Sequence, residues 1–321
     1  MNFLKSLSNN TQGILCLIGA VAFLSLSDSI IKWLSPHYAL HEIMLFRALF
    51  AMIVVLGIVQ LEGGLETLKT RRPLLHFFRG SLLVLANMFF FLGLATLPFA
   101  ETVALFFVAP LLICMMSQPI LGEKVGLSRW LVIGLGLCGV LVMVRPGAEI
   151  FAVTSLLPIL AALCYAIMQM MTRKLGMQEK AGTLTFYIQF AFIVISSIIG
   201  LSIGDGSLNR MDNATTEFLL RAWVWPLPMD FGLIAVCGFI VAFGGYFLSQ
   251  AYRLGQASAV APFEYSSLPF ALILGYLLWG DWPDLISFLG SSLIIFSGLL
   301  IVYIESRPGR QKYLPVPHKE Y

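Results

Sequence analysis

Ten apolar runs of about 18–25 residues divide the 321-residue chain: 12–34, 40–61, 74–96, 98–121, 127–145, 152–174, 182–203, 230–252, 257–279 and 285–304. At 1.5 Å per residue, a helix of that length crosses a hydrocarbon core of about 30 Å. Lipid offers no hydrogen bonds, so a chain made of such runs must satisfy its backbone within each segment, as helices do. Hydrophobic residues are 59% of the chain and charged residues 12%, about half the charge of a soluble domain. No run alternates polar and apolar residues, which excludes a β-barrel. The first run carries Asp28 and Lys32 and has no small-residue cleavage site after it, so it reads as a span rather than a signal peptide. The expected fold class is an all-α integral membrane protein with ten transmembrane helices.

The breaks between runs supply the orientation. Fifteen of the twenty Lys and Arg residues fall on the amino-terminal side of the membrane, in the tails, the alternate loops and the run ends beside them, against Arg145, Arg210 and Arg221 on the opposite side. Positive charge collects in cytoplasmic loops. Both termini are therefore expected in the cytoplasm, with the chain multi-pass in a cell inner (cytoplasmic) membrane. This asymmetry accounts for the formal net charge of +3, and no nucleic-acid partner is needed. The five cysteines lie inside the runs without CxxC spacing and read as free thiols. His37 and His41 flank a short turn and do not form a metal site; no metal and no cofactor is expected.

The chain repeats itself. FRALFAMIV (46–54) aligns with FYIQFAFIV (186–194) at an offset of 140, matching Phe46, Phe50, Ala51, Ile53 and Val54 to Phe186, Phe190, Ala191, Ile193 and Val194. LPFAETVALF (97–106) aligns with LGQASAVAPF (254–263), five identities in ten, and each of these runs carries a later proline and acid: Pro110 and Glu123, Pro269 and Asp281. The repeats lie five spans apart, so the second must be inverted relative to the first. The expected organisation is a cytoplasmic amino terminus (1–11), a first five-helix repeat (12–145), a connector (146–151), a second repeat (152–304) and a cytoplasmic tail (305–321). The second repeat holds an external loop, 204–229, read as a tolerated insertion with a lid as the alternative. Inverted repeats place a solute near the midplane, and rocking of one half against the other exposes it to each side in turn.

Polar residues inside the runs mark the solute path. An ionised carboxylate at the centre of a membrane helix costs about 2.5–3.5 kcal/mol on insertion scales. Glu264, in VAPFEYSSLPF (260–270), sits between Pro262 and Pro269 with Tyr265 beside it. Prolines break a helix, and broken helices at membrane depth border protein or a cavity. Asp28 and Arg47 fall at about the same depth in an antiparallel hairpin of runs one and two and are expected to pair, or nearly so; by repeat position they correspond to Gln169 and Tyr187. Tyr165 with Gln169 and Tyr246 with Gln250, each four residues apart, put polar groups on one helix face. Asn87 and Glu101 complete the set, Glu101 lying close to the external interface. No catalytic residue is assigned, because no nucleophile–base–acid set appears. GLGLCG (134–139) fits GxGxxG but lies within an apolar helix, where small residues serve packing. NAT at 213–215 is a glycosylation sequon only in a eukaryotic setting.

Three stretches, EIMLFRALFA (42–51), the segment from ALF (104–106) through AP (109–110) to LGEK (121–124), and AYRLGQASAVAPFEYSSLPFALILGYLLWGDWP (251–283), resemble the drug/metabolite transporter superfamily. The resemblance is to its EamA-type members and covers about residues 12–304. The last block is similar to the bacterial subgroup with S-adenosylmethionine and riboflavin transporters, while Asp281 stands where the usual pattern has glutamate. The resemblance implies two five-helix halves and a secondary transporter, not an enzyme, moving a small organic metabolite by alternating access, S-adenosylmethionine-like or riboflavin-like. Amino-acid or drug export is the alternative within the family, and a passive channel or membrane-embedded enzyme the alternative of another class. It also matches Glu264 and Tyr265 to the family's span-nine polar pair and Arg47 to its span-two arginine. The partners expected are a small-molecule solute and the lipid bilayer; small-residue helix faces are compatible with a homodimer.

Overall fold

A computed structural model describes residues 8–96, 99–123, 125–144, 155–209, 214–280 and 284–306. The connector, Arg145, Arg210, Asn213, Asp281 and the tail beyond residue 306 lie outside the described residues, as does the side chain of Glu101. Among the described residues the chain is helical and contains no strand. The helices are α1 (Asn9–Leu34), α2 (Leu40–Glu62), α3 (Pro73–Thr96), α4 (Phe99–Phe106), α5 (Ala109–Leu121), α6 (Leu127–Val144), α7 (Leu156–Gly176), α8 (Ala181–Ile203), α9 (Ala214–Leu220), α10 (Pro228–Leu254), α11 (Ala257–Val260), α12 (Ser267–Trp279) and α13 (Leu285–Ser306). A 3₁₀ turn, Ala261–Ser266, joins α11 to α12. Seven segments are long and apolar enough to cross a membrane, and three shorter apolar helices, Ala109–Leu121, Leu127–Val142 and Leu285–Leu300, accompany them.

The repeat is visible in lengths, caps and contacts. Helices α2 and α8 each have 23 residues. Helices α5 and α12 each have 13, and each ends in a left-handed glycine, Gly122 at φ 68° and Gly280 at φ 74°. Glycine takes that conformation without the Cβ clash other residues meet. The packing repeats too. Helix α3 crosses α8 where a Cβ on Gly80 would lie 2.5 Å from Ala191 Cβ and 3.0 Å from the Tyr187 carbonyl oxygen. Helix α10 crosses α2 where a Cβ on Gly238 would lie 2.5 Å from Phe50 Cβ and 2.7 Å from the Arg47 carbonyl oxygen. Tyr187 and Arg47 are the repeat mates predicted from the 140-residue offset, so the same close approach is built twice.

The halves interleave. The most extensive contacts run between repeats: α1 on α10, its mate crossing α3 on α7, and the self-paired crossings α2 on α8 and α6 on α13. Two of the GLGLCG glycines serve the last of these, since a Cβ on Gly139 would lie 2.8 Å from the Gly290 carbonyl oxygen and one on Gly136 3.2 Å from Ser297 Oγ. Small residues let backbones approach in this way inside lipid.

Hydrogen bonds sort the helix ends onto two faces. One gathers the starts of α1, α8 and α11 and the ends of α2, α5, α7 and α10; it is the amino-terminal face. On the opposite face the turn between α1 and α2 meets the loop before α10. Tyr38 donates to Asp230 at 2.7 Å and accepts from Leu227 N–H at 3.1 Å, and burial raises the Tyr38 hydroxyl above its ordinary pKa. Arg221 reaches the Ser35 carbonyl at 3.3 Å, Trp223 lies 5.6 Å from His41, and Trp225 is edge-on to Phe46. The carboxy-terminal part of the long loop, residues 221–227, is thus packed onto the bundle.

Gly238→Ala and Gly80→Ala will each destabilise the protein by about 1–3 kcal/mol, the usual cost of overpacking. Gly134→Ala, whose Cβ would meet nothing within 4 Å, will change stability by less than about 0.5 kcal/mol. Thermal unfolding midpoints in mild detergent measure the difference.

Candidate functional site: two polar clusters between the repeats

The run predicted over 257–279 is three pieces, not one helix. Pro262 lies in the first turn of the 3₁₀ segment and Pro269 in the first turn of α12, where missing N–H groups cost least. Two serine hydroxyls take carbonyls at this break, Ser266 from Phe263 at 2.6 Å and Ser267 from Glu264 at 2.9 Å. The result carries Glu264 on a tight turn inside the bundle, 8% exposed.

Two tyrosines from other helices hold the carboxylate. Tyr165 of α7 donates to Glu264 Oε1 at 3.0 Å, and Tyr252 of α10 donates to the same oxygen through a short bond. Gln169, one turn beyond Tyr165, donates its Nε2 to the Tyr165 hydroxyl at 2.8 Å. Hydrogen bonds to a charged acceptor contribute about 1.5–3 kcal/mol each, which offsets much of the cost of burying it. Tyr265 turns away: its ring lies 5.8 Å from Phe107 and against Gly136, and its buried hydroxyl has no hydrogen-bond partner among the described residues. Of the predicted residues, Glu264, Tyr165 and Gln169 therefore form one network. Sequence reasoning missed Tyr252: Gln256 stands four residues on, but Tyr252 closes the run 230–252 beside Arg253 and reads as the end of a span.

Asp28 and Arg47 form a second cluster nearer the opposite face. Arg47 is buried, and its guanidinium lies 5.7 Å from the centre of the Phe192 ring of α8. Cys237 of α10 meets Ser27, the Ser27 Oγ–Cys237 Sγ distance being 3.3 Å, and its neighbour Gly238 packs against the Arg47 backbone. Asp28 feels the Arg47 charge, yet among the described residues no ion pair within 4.0 Å joins them. Of the two arrangements expected, pairing or near-pairing, the direct bond is not formed. Asp28 is also exposed although protein surrounds it. The exposed apolar residues Leu15, Leu26 and Trp33 of α1 fall within about 20° of one another at 100° per residue, and Asp28 lies about 140–160° from them. The helix thus has a lipid stripe and, on the far side, an acid facing an interior space.

The other predicted residues go elsewhere. Tyr246 donates to Glu62 at 2.9 Å, and Glu62 in turn accepts the Gly182 N–H at 3.0 Å and binds Lys180 through its carbonyl. Gln250 accepts from Arg253 at 3.2 Å. Tyr187 stacks on buried His76 at 4.7 Å and donates to the Leu68 carbonyl at 3.0 Å. Asn87, half-buried on α3, donates to its own helix at Leu83, 2.8 Å away. Tyr246, Gln250 and Tyr187 belong to the amino-terminal face, which is stitched across the repeats.

The densest stitch centres on Glu123. Its carboxylate accepts the N–H groups of Ala257 and Ser258 at 2.9 and 3.0 Å and the Ser258 hydroxyl at 2.8 Å, closing the start of α11 from across the repeat. Arg129 donates to Ser258 and Gln256, and Arg173, 3.7 Å from Glu123, donates to the Arg253 carbonyl at 2.6 Å. Beside it Arg79, fully buried, donates to Thr172 at 2.9 Å and to the Leu184 carbonyl.

A family model described as the EamA-like transporter family matches residues 11–145 and again 153–303. The chain belongs to the EamA-like transporter family. It is a multi-pass membrane transporter of the drug/metabolite transporter superfamily and not an enzyme. It is 27% identical over 308 residues to a protein of Rickettsia prowazekii named S-adenosylmethionine uptake transporter, covering 96% of this chain and 98% of that one. It is 26% identical over 304 residues to a Vibrio cholerae riboflavin transporter, covering 94% and 96%. A more distant relative, 22% identical over 285 residues with 88% and 93% covered, is the pseudopaline exporter of Pseudomonas aeruginosa. A solved crystal structure superposes with a TM-score of 0.73 at 16% identity, covering 92% of this chain and 97% of that one; that likeness speaks for the fold alone.

Glu264→Gln and Tyr252→Phe will show a coupling of about 0.5–3 kcal/mol in a double-mutant cycle read by thermal unfolding, as expected of residues sharing a bond. Glu264→Gln with Tyr246→Phe will add to within about 0.5 kcal/mol.

Proposed function

We propose that the chain is a secondary transporter that carries a small organic metabolite across the cell inner membrane by alternating access, with an S-adenosylmethionine-like or riboflavin-like solute favoured. The observation that carries the proposal is Glu264: a carboxylate on a doubly interrupted helix, held by Tyr165 and Tyr252 from two other helices, deep between inverted repeats. Such a group costs energy where it lies, and a solute route is the use that the fold offers it. In this reading the seven long segments and the three shorter apolar helices make ten passes, and the amino-terminal face is cytoplasmic by its positive charge. The names of the relatives favour a metabolite substrate; the exporter among them keeps outward transport as the second reading.

The interleaved packing supports one change to the sequence reading. Helices α1 with α10, and α3 with α7, each join the two repeats, so the bodies that move against each other combine helices of both. The bonds of Glu62, Glu123 and Arg173 close the amino-terminal face, while Asp28 stays exposed toward the opposite one. The structure described is, in this reading, the state open away from the cytoplasm.

Uptake of labelled S-adenosylmethionine, riboflavin and amino acids into proteoliposomes at two external pH values tests the proposal. Wild type is expected to take up one compound saturably, with Glu264→Gln losing that uptake by tenfold or more or making it independent of pH. Equal saturable uptake by both would remove Glu264 from the route. Flux that rises linearly with solute and shows no exchange stimulation would replace the transporter with a channel.

A further inference from the structure

Two opposite charges share a level of the bundle without meeting. Ser27, beside Asp28, meets Cys237 at 3.3 Å, and Gly238, beside Cys237, packs against the Arg47 backbone, yet no ion pair within 4.0 Å joins Asp28 to Arg47. In a low-dielectric interior, buried charges that lack partners are costly, and breaking a buried pair costs about 3–5 kcal/mol. Charges kept apart there leave room for a third party. Each is also presented for contact. Arg47 is held over the Phe192 ring, and its buried Nε has no hydrogen-bond partner among the described residues. Asp28 is exposed on the interior side of α1, opposite the lipid stripe.

We propose that Asp28 and Arg47 form a subsite for the zwitterionic α-amino-acid head of the solute, Arg47 taking the carboxylate and Asp28 the ammonium. The proposal rests on the transporter reading and adds the chemistry that the cavity selects. The guanidinium fork of arginine matches a carboxylate with two parallel bonds, and a carboxylate accepts from an ammonium in the same charge-assisted way. A solute with only a cation would leave Arg47 without an anion, and one with only an anion would leave Asp28 without a cation. A neutral ring system such as isoalloxazine offers uncharged hydrogen-bonding groups and matches neither charge. Rejection of a ligand that lacks a matched polar group is strong where the site's own groups are then left unpaired. The subsite therefore favours an S-adenosylmethionine-like solute over a riboflavin-like one. Arg47 sets preference for the carboxylate and Asp28 for the amine.

The test is competition against uptake of labelled S-adenosylmethionine by the full chain in proteoliposomes. The competitors are unlabelled S-adenosylmethionine, its decarboxylated form, its deaminated form and riboflavin. Wild type is expected to discriminate tenfold or more against both the decarboxylated and deaminated forms. Arg47→Gln will bring the decarboxylated form to within twofold of S-adenosylmethionine while keeping the preference for the amine. Asp28→Asn will do the converse, and Arg47→Lys will restore part of the carboxylate preference. Equal competition by all three adenosyl compounds in wild type overturns the subsite, even if no variant folds. So do variants that leave both ratios unchanged. Saturable uptake of riboflavin but not of S-adenosylmethionine overturns the subsite while leaving the transporter standing. No saturable uptake of any compound overturns both.

Discussion

Everything in this molecule depends on how closely helices of the two repeats can approach. Lipid gives helices no hydrophobic reason to associate, so packing and interhelical hydrogen bonds must hold them. The chain meets that need at Gly80 and Gly238, where the neighbouring backbone stands too near for any side chain. Both crossings carry a polar residue on the partner helix, Tyr187 in one and Arg47 in the other. Because each crossing joins one repeat to the other, the packing that makes the fold also sets the walls of the space between them.

Within those walls the two polar clusters divide the work by depth. Glu264 is deep, shielded and held through one carboxylate oxygen by Tyr165 and Tyr252. Asp28 is exposed and Arg47 has a donor to spare. The amino-terminal face beyond Glu264 is tied by charge-assisted bonds that cross between repeats, most of all at Glu123. A conformational change that opened this face would have to exchange those bonds for water, where they are worth little. The barrier to motion thus resides in a handful of named contacts.

Much of this was legible in the sequence. The apolar runs correspond to helices because nothing but helix satisfies a backbone in lipid, and the 140-residue offset located mates that the structure sets in equivalent crossings. Glu264 stood out because a carboxylate between prolines is costly at that depth. What escaped was direction. Tyr246 and Gln250 look like a cavity face, but α10 turns them toward Glu62 and Arg253, and Tyr252, most of half a turn round from Gln250, is the residue aimed at Glu264. Helical spacing says which residues share a face; it does not say what that face meets. Asp28 and Arg47 show the same limit: equal depth was readable from the hairpin, whereas the absence of a direct bond depends on the placing of the guanidinium over the Phe192 ring.

The interleaving also governs how the molecule is made. The first helix closes at Leu34, but α10, the neighbour it packs on most extensively, begins only at Pro228. At about 5–20 residues per second, synthesis of the stretch between them takes roughly 10–40 s. Through that interval Asp28 and Arg47 sit in a nascent bundle whose walls have not yet been synthesised. The amino-terminal half therefore emerges as a set of helices awaiting partners, and the polar space exists only once the ribosome is nearly done.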